Sequence, residues 1–424
     1  MKRLILTVLT ILAFCQVWGQ TSREDIYANP NLSAGLHCAY PGPQGTGTKA
    51  PKGYKPFYIS HFSRHGSRYL IDMDDYTKTI DDLKGAQDAG VLTDLGKDVL
   101  ERMKVIWEDA RQHDGELTRL GVEQHRGIAE RMYRDYPQVF RKGAYLTARS
   151  TQVPRCMLSM DAFCERLKEL NPSLNISRDA SLRDKSYISS RSKEFGDYMK
   201  ANNVSEGLSE WRRSCVHPDR LAASLISSQE YIDGHIDKAA LMRRLYNVAG
   251  IMQNVDLDVD LYDIFTKEEL YDLWRSGNVG NYASTGPNKN GGEMMYRSSL
   301  ALLKNMIETA DEAIATGSTV ATLRFSHDSY LLPLCTTLRL SDFMGSADDW
   351  DGVSAVWSNY KVSPMAGNVQ IIFFRNKSGN VIVKFLHNEV EVGIPVETDM
   401  YPFYRWEDVK AYYIKTYDYN NARL

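Results

Sequence analysis

The sequence predicts an α/β fold: a central, mostly parallel sheet flanked by helices, with a mainly helical cap inserted into it. Strand-like apolar runs stand near both flanks, at 57–62 and 320–326 and again at 369–374 and 381–386. The stretch 166–299 between them has almost no alternating pattern and reads as helix, so the flanks must supply the sheet. The chain is 424 residues long, above the size at which one core keeps growing, so a large insertion is expected. The expected division is a leader at 1–19, an α/β core from 20–165 and 300–424, and the cap at 166–299.

At the N-terminus, Lys2 and Arg3 precede an apolar stretch from Leu4 to Cys15, and Val17-Trp18-Gly19 reads as the cleavage site of an export signal. The mature chain would start at Gln20, in a periplasmic or secreted setting. The apolar stretch is shorter than the roughly 20 residues of a spanning helix, and Phe14 before Cys15 argues against a lipid anchor there. Residues 40–56 form a Pro/Gly-rich connector whose glycines match no nucleotide fingerprint. Helices are expected at 93–110 and 118–136, each opened by a threonine, with Pro137 closing the second. After Arg155, the residues Met157, Met160, Cys164 and Leu167 recur at three- and four-residue steps, an apolar helical stripe. Further helices are expected at 221–253, 266–276 and 293–315, and 369–374 and 381–386 read as a hairpin.

The net charge of −3 with 25% charged residues gives no basic field for nucleic acid, and no later segment is apolar and long enough to span a membrane. Five cysteines follow the leader: Cys38, Cys156, Cys164, Cys215 and Cys335. An export setting permits disulfides, but Cys156 and Cys164 would lie about 12 Å apart along one helix, too far to bridge. The pairing of the others, like the oligomeric state, stays open. No Cys-x-x-Cys or His-Glu-x-x-His pattern occurs, so neither a metal nor another cofactor is expected.

The chemistry concentrates in Arg64-His65-Gly66-Ser67-Arg68-Tyr69-Leu70, directly after the first strand-like run. Two guanidiniums supply flat paired donors suited to phosphate oxygens, and an imidazole beside them is a nucleophile that can carry a phosphoryl group. His327-Asp328 stands at the end of the run 320–326, where ligands collect in open α/β sheets. Arg149 stands between the two in sequence, in Thr147-Ala148-Arg149-Ser150-Thr151. His61, two steps before Ser63 on the same strand face, is expected to pack. Tyr69, Lys78 and Lys84 follow the nest and are candidates for a substrate rim.

These residues, with Gly115-Glu116-Leu117-Thr118-Arg119-Leu120-Gly121-Val122-Glu123-Gln124 and Ala366-Gly367-Asn368-Val369-Gln370, resemble the histidine acid phosphatases, the branch that includes phytases and multiple inositol polyphosphate phosphatases. The resemblance runs in order from about residue 55 to residue 400. It implies a histidine phosphatase-like sheet with a cap, and a cleft between them. It also implies His65 as nucleophile, Asp328 as general acid, and Arg64, Arg68, Arg149 and His327 as phosphate-binding groups. Leu70 stands where the family often has proline, and His327-Asp328-Ser329 has the acid phosphatase form of the late motif rather than His-Ala-Glu. The substrate expected is a small phosphate ester, with inositol polyphosphates such as phytate first and a broad acid or sugar phosphatase as the alternative. A phosphoester-binding protein without turnover would need neither His65 nor Asp328, and a phosphomutase fits poorly with export.

Overall fold

The computed structural model describes residues 21–43, 47–189, 191 and 193–417. The leader expected at 1–19, with Cys15, lies outside these residues. Eight strands form one sheet: β1 (Lys55–Arg64), β2 (Tyr145–Ser150), β3 (Asn175–Asp179), β4 (Ala321–Ser326), β5 (Asn368–Arg375), β6 (Val381–His387), β7 (Val390–Val392) and β8 (Tyr404–Arg405). Their order is β3-β2-β4-β1-β5-β6-β7, with β8 also on β6. The side β3-β2-β4-β1 is parallel, and β5 to β8 extend it antiparallel. Helices cover both faces of the parallel side, so β4 is buried along its whole length and β1 from Tyr58 to Arg64, as parallel strands are. The α/β fold is the one expected, and the late hairpin forms from β5 and β6.

Local signals place the helices beside the sheet. Thr93 and Thr118 cap α3 (Asp94–Ala110) and α4 (Arg119–Asp135), their side-chain oxygens accepting the N–H groups of Gly96 and Gly121. In α5 (Pro154–Leu170), Met160, Phe163, Cys164 and Leu167 are buried in one cluster with Ile59, Leu146 and Leu323 of the sheet. Each such side chain contributes about 1.5–3 kcal/mol of burial.

The helical layer is grouped differently from the single block expected at 166–299. Leu83 of α2 (Asp74–Asp88) and Leu100 and Met103 of α3 share a core with Leu241, Leu245 and Val248. Residues 70–110 thus belong to this layer, while β3, inside 166–299, belongs to the sheet. The helix expected at 221–253 is three, Asp219–Leu225, Gln229–His235 and Lys238–Ile251, because Ser228 and Asp237 cap new starts through Tyr231 N and Ala240 N. The helix expected at 266–276 continues to Thr285, and the one expected from 293 starts at Leu300 after a 3-10 stretch in which Gly292 has φ 51°.

The N-terminal segment, α1 (Ser22–Ala28) and the 3-10 stretch Pro30–His37, packs Ile26, Ala34 and Cys38 against Trp274 and Tyr360. Among the described residues, Cys38, Cys156, Cys164, Cys215 and Cys335 are buried and unpaired. Among the described residues no helix is long and apolar enough to cross a membrane.

Candidate active site

Register brings three strand ends to one edge. Arg64 of β1 lies opposite Ser326 of β4, and Phe325 lies opposite Ser150 of β2. The residues that follow, His65, Thr151 and His327, therefore emerge side by side beyond the carboxyl ends of parallel strands. The ring centroids of His65 and His327 are 5.6 Å apart. His327 Nε2 is 3.2 Å from the Thr151 hydroxyl.

The nest is held by the first turns of α4. A β-carbon on Gly66 would lie 2.4 Å from the Gly121 carbonyl oxygen, and one on Gly121 would lie 2.3 Å from that of Ser67. Both positions need glycine because the two backbones touch. Thr118 donates to the Ser67 carbonyl through its backbone N–H and its hydroxyl. Gln124 accepts from Ser67 N at 2.9 Å and donates to Ser67 Oγ at 2.8 Å. The Leu-Thr-x-x-Gly-x-x-Gln spacing thus exists to clamp one residue of the nest.

That clamp fixes His65. Its Nδ1 is 2.9 Å from the Gly66 carbonyl, and a carbonyl only accepts, so Nδ1 carries the proton and Nε2 keeps its lone pair. Burial, then Arg64, Arg68 and Arg155, push the His65 pKa well below its usual value. The imidazole is therefore uncharged and nucleophilic at neutral pH.

Arg64 is fully buried. Its Nη1 donates to the carbonyls of Leu36 and Ser363 at 2.6 and 2.7 Å, and Nη2 lies 2.8 Å from Asp328 Oδ2 as an ion pair without hydrogen-bond alignment. Arg64 Nε and Nη2, Arg68 Nε and Arg155 Nε have no hydrogen-bond partner among the described residues.

Arg155 is the third arginine of this cluster, and Arg149 is not brought to it. Arg149 pairs in register with Arg324. Strand alternation turns its side chain onto a face of the sheet, where Nη1 donates to the carbonyls of Ala148 and Ser177 and Nε lies 3.7 Å from Asp184. Arg155 instead sits in the first turn of α5, past the strand end, and its charge acts on His65, Arg64, Arg68 and His327. Pro154 was the available signal, since proline favours the first turn of a helix and so places Arg155 at the start of α5, four residues past the end of the strand that holds Arg149.

The family model of the histidine phosphatase superfamily, branch 2, matches residues 61–388, from β1 to just past β6. The chain belongs to that superfamily. Among solved structures, the Bifidobacterium longum multiple inositol polyphosphate phosphatase in complex with inositol hexasulfate is similar with a TM-score of 0.72 at 19% identity, covering 89% of this chain and 96% of that one. The phytase from D. castellii gives 0.69 at 15%, covering 91% and 85%, and the Hafnia alvei phytase in complex with tartrate 0.54 at 12%, covering 87% and 98%. No curated protein matches the chain by sequence.

In this histidine acid phosphatase, burial pushes the Asp328 carboxyl up, but Arg64, Arg68 and His327 outweigh it and hold its pKa below the ordinary value. His327, beside Arg155, is pushed down to about 4 by burial first and that charge second. Asp328 opens a helix, Asp328–Thr337, whose positive end faces the cleft. A cavity of about 260 Å³ adjoins His327, bordered by Gln152, Ser181, Lys185 and Tyr330. Of the rim candidates, Tyr69 is tied to Asp109 and stacked on His113, Lys78 is paired with Asp74, and Lys84 is exposed on α2. His61 packs between Phe163 and Phe325.

Proposed function

We propose that the chain is an exported phosphomonoesterase that works through a phosphohistidine at His65 and prefers inositol polyphosphates. The observation that supports it most is the set of buried guanidinium N–H groups on Arg64, Arg68 and Arg155 that have no hydrogen-bond partner among the described residues, gathered around an uncharged imidazole. Buried cationic donors without partners are costly, and a phosphate offers the oxygens they lack. In the reaction, His65 Nε2 bonds to phosphorus as the ester P–O bond breaks, and Asp328 gives its proton to the departing alcohol oxygen. Water then attacks the phosphohistidine, Asp328 takes the water proton back, and inorganic phosphate leaves.

Asp328 is ionised in the free site, so the ester monoanion on binding gives it the proton that Asp328 then passes to the alcohol oxygen, and the bound phosphate offsets the arginines that hold the carboxyl low. A phosphate monoester loses its second proton near pH 6, so activity falls as pH rises beyond that point. A general acid phosphatase is the second reading, favoured by the His327-Asp328 form of the motif and by Lys185 as the lone cation at the side cavity. Phosphate release from phytate, a sugar monophosphate and an aryl phosphate decides between them. Phytate hydrolysed no better than the sugar ester selects the second, and no release from any ester removes both.

A further inference from the structure

Ser67, between His65 and Arg68, is held on three sides. From α4, Thr118 binds its carbonyl, and Gln124 binds both its N–H and its hydroxyl. The third grip comes from the helical layer. Helix Lys238–Ile251, whose Leu241, Leu245 and Val248 share a core with α2 and α3, runs on into a 3-10 turn, Met252–Asn254. Asn254 at the end of that turn is fully buried, and its Oδ1 lies 2.6 Å from Ser67 Oγ.

The direction of each bond follows from its partners. Asn254 Nδ2 is 2.7 Å from the His37 carbonyl, and a carbonyl only accepts, so the amide nitrogen faces His37 and the amide oxygen faces Ser67. The Ser67 hydroxyl therefore donates to Asn254 and accepts from Gln124 Nε2 at 2.8 Å. Ser67 is itself fully buried. With its proton engaged inside the protein, the hydroxyl is neither a nucleophile nor a donor to a ligand, although it stands in the middle of the nest.

What these bonds fix is the backbone beside His65. The Gly66 carbonyl, one residue before Ser67, holds the His65 Nδ1 proton at 2.9 Å. A displacement of Ser67 moves that carbonyl and the imidazole with it. An apolar side chain at 254 could close the same packing, but a buried amide bonded at both ends adds a fixed direction.

We propose that Asn254 is a positioning residue for catalysis: through Ser67 it fixes the Gly66 carbonyl that orients His65, so that alignment of the nucleophile depends on the seating of the helical layer. This rests on the reading of the cleft as a phosphate-ester site.

The test uses the full chain with Ser67→Ala, Asn254→Ala and the double variant. Turnover of an aryl phosphate, inhibition by inorganic phosphate, thermal unfolding and the nitrogen NMR resonances of the His65 ring are measured on each. Either single variant should lose roughly 10- to 100-fold in kcat, the scale of a misplacement of about 1 Å. Inorganic phosphate should inhibit as it does the wild type, because Arg64 keeps the Ser363 carbonyl and Asp328. The double variant should lose no more than Asn254→Ala alone. The His65 ring, a single Nδ1–H tautomer in the wild type, should become a mixture of tautomers in all three variants. A kcat per folded molecule that stays at the wild-type value, a weakening of phosphate inhibition that matches the loss in kcat, additive losses, or an unchanged His65 tautomer overturns the proposal. If Asn254→Ala does not fold, Ser67→Ala decides by the same readouts. If the wild-type chain hydrolyses no ester, the phosphatase reading fails by itself, and the tautomer then decides about Asn254. A mixture in the variants upholds its hold on His65, and an unchanged Nδ1–H ring overturns it.

Discussion

At the carboxyl edge of β1 and β4, Arg64, Arg68 and Arg155 hold buried N–H groups with no hydrogen-bond partner among the described residues, while His61 and His125 hold four buried ring nitrogens that likewise lack one, packed on Phe163 and Phe325. The same shortfall has two outcomes because the groups differ in what they can give up. A guanidinium keeps its charge, so its unpaired donors call for an anion. An imidazole can shed its proton: burial pushes both His61 and His125 to about 3, and they pack as flat neutral rings. Unpartnered polar groups therefore mark a ligand site only where charge is retained and the cleft gives access.

The largest expected effect breaks this contrast at its centre. His65→Ala should abolish phosphate release, by about 10⁴-fold or more, and acid-quenched protein should carry no phosphoryl label. Because no apolar volume is lost, the fold should survive, and turnover by the folded variant would remove His65 as nucleophile. Asp328→Asn should slow alkyl esters by about 10² to 10⁴ and activated aryl esters far less. Equal losses on both would assign Asp328 to positioning instead of proton transfer.

The comparison is sharpened by two arginines six residues apart. Arg155→Ala should cost about 10² to 10³ in kcat, the usual loss for one charge-stabilising donor, while Arg149→Ala should stay within about tenfold through its supporting contacts alone. A larger loss at Arg149 would restore it to the phosphate site.

The buried histidines give a smaller, pH-dependent effect. Their folded pKa values of about 3 lie below the usual 6.5, so the unfolded chain binds more protons between these values and stability drops as pH falls through that window. His61→Leu should make the fall in melting temperature between pH 6.5 and 4 shallower, and an unchanged slope would mean the ring is not held neutral. The smallest effect is expected at Lys78, paired with Asp74 on an exposed helix. Lys78→Ala should change kcat/KM on phytate by less than about twofold, as surface pairs carry little.

The nest, the late His327-Asp328 pair and the threonine caps were legible because each is written in neighbouring residues. Arg149 was named because it stands between the two motifs in sequence, while strand alternation and the helix start at Pro154 place Arg155 at the edge instead. Asn254 gave no signal at all, since its hydrogen bonds to Ser67 and to the His37 carbonyl exist only in three dimensions. The division of the helical layer was hidden for the same reason: Leu83 and Leu100 find their partners in Leu241 and Leu245, far along the chain.

β1 leads directly into His65, and both of its neighbours in the sheet come from the last quarter of the chain, Ile59 meeting Ala321 on one side and Ser60 meeting Ile371 on the other. Contacts between such distant segments form slowly, after long loops have closed. During synthesis, the cluster at the end of β1 is therefore present early but has no scaffold, and the cleft is not assembled until nearly all of the chain has been made.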